Sequence, residues 1–317
     1  MAANWMRRSF LAAACASAAL LAACGSSTTE SALKPERFIA FGDAFTDVGQ
    51  TGTRYTVNNG SVNNWTLQLA SRYGKTLAPA ATGGLSYAQG NARITAQPDA
   101  AGQSGTPSVK EQIDGFLTGQ GFATNDLVLI NGGMSDLIVG MAAVQAGTLS
   151  TADFLTQARQ NGDALAAQVR RLVTAGAKHV LVSGVYDLSK TPWATGMKQE
   201  TLLANASLRF NEGLLIGIND LGENVLYVDA AYYVNLYTYS PGTYYFSNAT
   251  VPVCTSVDAA NGIGIGAGEV NSSKCSGTTL LSGANPDEYV FADKVYMTPS
   301  AHRQFGNYAY DRLRMRW

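Results

Sequence analysis

Charge is scarce in this chain. Only 14% of its 317 residues are Asp, Glu, Lys or Arg, against about 25% in an ordinary soluble domain. The formal net charge is −1 and Lys and Arg form no run, so the electrostatic footprint that grips nucleic acid is missing. Histidine is nearly absent, with two in the whole chain, and no His/Cys/carboxylate cluster forms, so neither a metal nor another cofactor is implied. No apolar run reaches the ~20 residues that a membrane-spanning helix requires. Internal repeats are lacking as well. What is left is a surface that relies on Asn, Thr, Ser, Gln and Gly, a balance commoner outside the cytoplasm than inside it. The apolar content of 46% suits one large core.

The N-terminus reads as a targeting segment. Met6-Arg7-Arg8 is a basic start, Phe10 to Ala23 is mostly apolar, and the run ends in Leu21-Ala22-Ala23-Cys24-Gly25. That ending resembles a bacterial lipobox, which makes residues 1–23 a lipoprotein signal peptide and Cys24 the lipidated first residue. An ordinary secretory signal is the alternative. Cys15 has a similar Ala-rich setting without the preceding leucine at the right position. Gly25, rather than Asp, after the cysteine resembles outer-membrane sorting in Gram-negative bacteria. Residues 24–36 follow as a flexible polar tether. The expectation is an exported protein, lipid-anchored in the cell envelope at the outer membrane, with the membrane as its partner through that anchor. The two remaining cysteines, Cys254 and Cys275, bracket a Gly/Ser/Asn-rich stretch and in an exported protein read as a disulfide closing a long loop. A metal site is the weaker alternative there, for want of a nearby histidine.

From residue 37 to 317 the pattern is that of one α/β domain. Phe38–Phe41, Leu127–Asn131, His179–Gly184 and Val225–Val228 are short continuous apolar runs, as expected of strands covered on both faces. Helical spacing recurs between them. Ser150-Thr151-Ala152-Asp153 is a capped start for a helix to about Ala175, and Thr201–Leu221 and Ser300–Arg314 are two more. Strands alternating with helices predict a doubly wound parallel sheet in a three-layer α/β/α sandwich, flavodoxin-like in order. Ligands in such sheets bind beyond the carboxyl ends of the strands, where Ala44, Met134-Ser135 and Asp187 fall.

Phe41-Gly-Asp-Ala-Phe-Thr-Asp-Val-Gly49 resembles the first sequence block of the GDSL-type lipases and esterases, the SGNH hydrolase family, in its lecithinase, haemolysin and autotransporter-esterase branch. Ser86–Arg93 resembles the second block, Asn125–Leu137 the third, and Asp293–Arg303 the fifth. Tyr186–Pro192 resembles a loop of the same branch. The resemblance implies the SGNH fold and ester hydrolysis, with the nucleophile at position 44, oxyanion donors at 44, 90 and 135, a base at 296 and its orienting acid at 293.

The side chains present do not all suit those roles. Acyl transfer needs a nucleophile, a base to take its proton, and preplaced donors for the oxyanion. Gly90 and Asp293 fit the pattern, but Ala44 stands at the nucleophile position, Ser135 at the oxyanion asparagine and Tyr296 at the base. Thr46, Ser135 and Tyr296 bring hydroxyls without an evident base; His179 reads as structural, and so does His302, six residues past Tyr296, with a relocated base as its alternative. The Asp43/Asp47 pair reads as a turn device. The tyrosine run from Tyr227 to Phe246 packs a helix onto the sheet or binds sugars or acyl chains. Three functions follow from this. The first is a degenerate homologue binding an ester, lipid or glycan in the old cleft, the second an active ester hydrolase with rearranged chemistry, and the third a non-catalytic scaffold lipoprotein.

Overall fold

The computed structural model describes residues 31–60 and 62–317, so the expected signal peptide and Cys24 lie outside the described residues. Four parallel strands form the central sheet in the order β1 (Arg37–Phe41), β2 (Asp126–Ile130), β3 (His179–Val182) and β4 (Val225–Tyr227). All four coincide with the apolar runs read from the sequence. Their side chains are almost wholly buried because helices cover both faces. The register between β1 and β2 starts at the pair Arg37 and Asp126, whose side chains form a salt bridge (Nε–Oδ1 2.8 Å). On the free side of β1 a fifth strand is reduced to one bridge, in which Ala40 N–H donates to Leu85 O and Tyr87 N–H to Ala40 O.

Eight α-helices are described: α1 (Trp65–Arg72), α2 (Val109–Gly119), α3 (Met134–Gln145), α4 (Thr151–Thr174), α5 (Pro192–Met197), α6 (Glu200–Gly217), α7 (Ala230–Tyr239) and α8 (Pro299–Arg316). Local chemistry explains the starts. Ser150 Oγ accepts Asp153 N–H at the head of α4, Ser108 and Glu111 make a reciprocal capping box on α2, and Thr298 caps α8 just before Pro299. Helices α4 and α6 pack closely because a Cβ at Gly162 would strike the Phe210 carbonyl and one at Gly213 the Arg159 carbonyl. Helix α8 packs on α1 and α7, and the whole is an α/β sandwich.

Cys254 and Cys275 are joined, with Cα atoms 5.9 Å apart. The loop they close carries a small antiparallel pair, β5 (Val257–Asp258) and β6 (Glu269–Val270). At the other end of the chain, Leu33 is buried, and its N–H and the Ser31 hydroxyl both donate to Trp317 O. The expected tether is therefore already fastened to the domain at Ser31–Leu33, short of its predicted end at residue 36. Among the described residues no helix is long and apolar enough to cross a membrane.

Candidate functional site

The turn after β1 is built around two buried carboxylates. Asp43 accepts from Phe45 N–H (3.1 Å), Asn131 Nδ2 (2.7 Å) and Met134 N–H (3.3 Å), which ties the end of β1 to the end of β2 and the start of α3. Asp47 Oδ1 accepts from the N–H groups of Gly49 and Gln50, both at 2.8 Å. Burial raises both carboxyls, Asp47 to about 6. The turn-device role expected of this pair is what the geometry shows. Gln112 holds the same turn from α2, accepting Gly42 N–H and donating to Gly42 O.

Ala44 sits in this turn with 1% of its surface exposed. Gly90 is tied to the same turn through Asp47, because the Gly90 N–H donates to Asp47 Oδ2 at 2.8 Å. The oxyanion donor expected at Gly90 is thus committed to a carboxylate. The space over Gly90 is also taken, since a Cβ there would run into the Tyr55 ring. Tyr55 in turn packs edge-on against Tyr296, with ring centroids 5.3 Å apart. Ser135, in the first turn of α3, is fully buried and its Oγ has no partner among the described residues.

Tyr296 and Asp293 are gathered into the same cluster. Asp293 accepts Val295 N–H (2.7 Å) and Tyr296 N–H (2.6 Å) on Oδ1, and Ser272 N–H (3.0 Å) on Oδ2. Its carboxylate therefore clamps the disulfide loop onto the turn before α8 instead of orienting a base. Burial raises its pKa and these donors lower it, with burial the larger. The Tyr296 hydroxyl is buried without a partner among the described residues, and burial first, then the Asp43 charge, push its pKa far up. A phenol so placed stays protonated and takes no proton from a neighbour at neutral pH. Tyr186 closes the group, its ring against Phe45 and its hydroxyl donating to Val295 O at 2.6 Å.

His302 does not substitute for the base. It is 1% exposed, lies 5.3 Å from the Phe45 ring, and burial lowers its pKa to about 3, so it is neutral. His179 rests on Trp317 at the amino end of β3, away from the cluster. Thr46 is buried. Asp187, after β3, caps a short turn through Ser189 N–H and stands near Lys190. The tyrosine run is divided: Tyr237 is buried and Tyr233 stacks on Tyr308 at 4.1 Å, while Tyr239 and Tyr245 point outward.

Ala44, Gly90, Ser135, Asp293 and Tyr296 are all buried, so among the described residues these positions are closed to solvent. The Tyr55 ring lies over Gly90 and against Tyr296, and the Cys254–Cys275 loop packs alongside, its Ser272 N–H on Asp293. Ile263 of that loop is buried in the main core, Gly262 O accepts Asn91 Nδ2 (2.9 Å), and Gly264 abuts Ala100 and Ile138. Tyr55, Asn131, Gln112 and Ser272 were all missed from the sequence. Asn131 lay inside the third block and was legible as a link to the first, whereas nothing around Tyr55 marks it as a plug. Among the described residues no group of His, Cys, Asp and Glu could hold a metal ion.

A relative from Pseudomonas putida, the "Uncharacterized protein in trpE-trpG intergenic region", is 26% identical over 308 residues, covering 88% of this chain and 48% of the relative. The chain thus spans about half the length of that protein. Two crystal structures superpose on 89% of this chain and 98% of their own, at 13% and 14% identity with TM-scores of 0.48 and 0.44. The family model for GDSL-like Lipase/Acylhydrolase matches residues 38–309. That span runs from β1 through the turn at Ala44, the blocks at Gly90 and Ser135 and the clamp at Asp293 into α8, so the chain belongs to the GDSL-like lipase/acylhydrolase family.

Proposed function

We propose that this chain is a catalytically silent member of its family, an envelope lipoprotein that acts by binding rather than by hydrolysis. One observation carries this: the positions that hold nucleophile and base in the resemblance carry a methyl and a protonated phenol, and both are 1% exposed. Loss of a triad member alone leaves some catalysis from the oxyanion hole and binding, about 10³–10⁴ over water in serine hydrolases. Here that remainder is lost too, because the Gly90 donor is spent on Asp47 and Tyr55 occupies the space above it. The filled cleft favours the scaffold reading over a ligand held in the old site.

The proposed anchor at Cys24 fits the geometry of the described part. The chain joins the domain beside Trp317, at the amino ends of the strands, while the Ala44 cluster lies at their carboxyl ends. An anchor at Cys24 would therefore attach at the end of the sheet opposite the closed site. Hydrolysis of 4-nitrophenyl acetate and butyrate tests the silence. The expected rate equals that of heat-denatured protein, and a native rate well above it would overturn the proposal.

A further inference from the structure

A cavity of 420 Å³ opens between α3 and α4, beside the closed cluster and separate from it. This lies in the range of small-ligand sites, about 300–1,000 Å³. Its floor is the ion pair of Arg93 and Asp136, two residues that the second and third blocks deliver side by side. Arg93 Nε donates to Asp136 Oδ1 (3.2 Å) and Ile94 N–H to Oδ2 (3.0 Å). The Asp136 carboxylate is nearly wholly buried, while the Arg93 side chain keeps 19% of its surface open. Beyond Asp136, the guanidinium has only a long contact with Pro98 O (3.5 Å), and its Nη2 donates to nothing among the described residues.

The wall facing this floor is the first half of α4. Gln157, Gln160 and Asn161 line it, and none of their three side-chain amides makes a hydrogen bond among the described residues. On the other wall the lining is aliphatic and small, with Val139, Gly140 and Ala143 from α3, and no aromatic side chain of the described residues lines the cavity.

We infer that this cavity is a binding site for a neutral saccharide. The argument is one of matching groups. A sugar hydroxyl donates and accepts at once, so a diol is satisfied where donors and acceptors stand next to one another. Guanidinium N–H groups and three primary amides, each carrying both donors and an acceptor, supply that mixture. The floor carries one positive and one negative group, so it selects neither an anion nor a cation. The small aliphatic wall suits the C–H face of a pyranose ring. This site does not depend on whether the family chemistry is lost, so its failure and the failure of the proposed silence are distinguishable.

Calorimetric titration of the full chain with maltotetraose, cellotetraose and chitotetraose tests the inference. At least one should bind with Kd below about 1 mM, the strength of a few hydrogen bonds. The double variant Gln157→Ala/Gln160→Ala changes only exposed side chains of α4 and should weaken that binding at least about tenfold with the melting temperature unchanged. Arg93→Lys should weaken it as well. No heat from any of the three sugars overturns the inference, as does binding that the double variant leaves intact. Binding of tetra-alanine in their place would assign the cavity to peptides and overturn it equally.

Discussion

Replacing Asp293 separates a structural carboxylate from a catalytic one. In the chain as folded, Asp293 takes three backbone N–H groups, from Ser272, Val295 and Tyr296, and neither of its oxygens meets an imidazole among the described residues. Asp293→Ala leaves those donors buried and unpaired at about 1–3 kcal/mol each, a gross loss of about 3–9 kcal/mol. Relief of the buried carboxylate's own desolvation returns part of this, so the net loss is about 3 kcal/mol. At about 2–4 °C per kcal/mol for a domain of this size, the melting temperature falls by about 6–12 °C. Asp293→Asn keeps the Oδ1 acceptor for Val295 and Tyr296 and turns an amide donor toward the Ser272 N–H. It should cost about 1–2 kcal/mol, the loss of one hydrogen bond. Thermal unfolding followed by circular dichroism at pH 7 reads both. An Asp293→Ala protein that melts with the wild type would refute the clamp. So would a wild-type esterase rate that disappears in this variant, since the carboxylate would then be working as a triad acid.

Other consequences follow from the same cluster. His302 is neutral in the fold, with a pKa of about 3, against about 6.5 unfolded. The unfolded chain therefore binds a proton that the native one refuses, and stability falls as pH drops below about 6.5. At pH 5 the loss is about 2 kcal/mol. His302→Phe should remove it, so the stability gap between variant and wild type should shift by that amount between pH 7.5 and pH 5; an unchanged gap contradicts the burial argument. Asp47 and Asp136, both raised to about 6, act with the opposite sign, destabilising the fold as pH rises from about 4 to about 6. That slope is common to both proteins and cancels. The double variant Cys254→Ser/Cys275→Ser opens a loop of 21 residues and should cost about 3 kcal/mol. Because Ser272 sits on Asp293, faster hydrogen exchange at the Ser272 amide should accompany it, and unaltered exchange would show that the loop stays seated without its bond.

Much of the fold was legible because burial on both sides of a parallel sheet leaves continuous apolar runs. All four strands showed in that way, and the long helix α4 announced itself through Ser150 and Asp153. Short helices such as α1 and α5 carry too few turns for a period to emerge. The site was half legible. Ala44, Ser135 and Tyr296 could be named because the blocks around them keep their order. That the cleft is filled could not be read, because it depends on Tyr55 reaching over Gly90 and on the Ser272 amide reaching Asp293, contacts across 35 and 21 residues of sequence with no periodic signature. The Gly90 donor looked available for the same reason: its capture by Asp47 is a matter of geometry between two turns.

The closure of the former catalytic position can be measured directly through a thiol placed there. Ala44→Cys adds one sulfur atom at a site 1% exposed. Titration with a disulfide reagent such as DTNB, compared with the parent protein, should show no additional reactive thiol in the native state and one upon unfolding in guanidinium chloride. If the thiol introduced at position 44 reacts in the native protein at the rate of a free cysteine, the cleft is open, and the account of a filled, silent site fails.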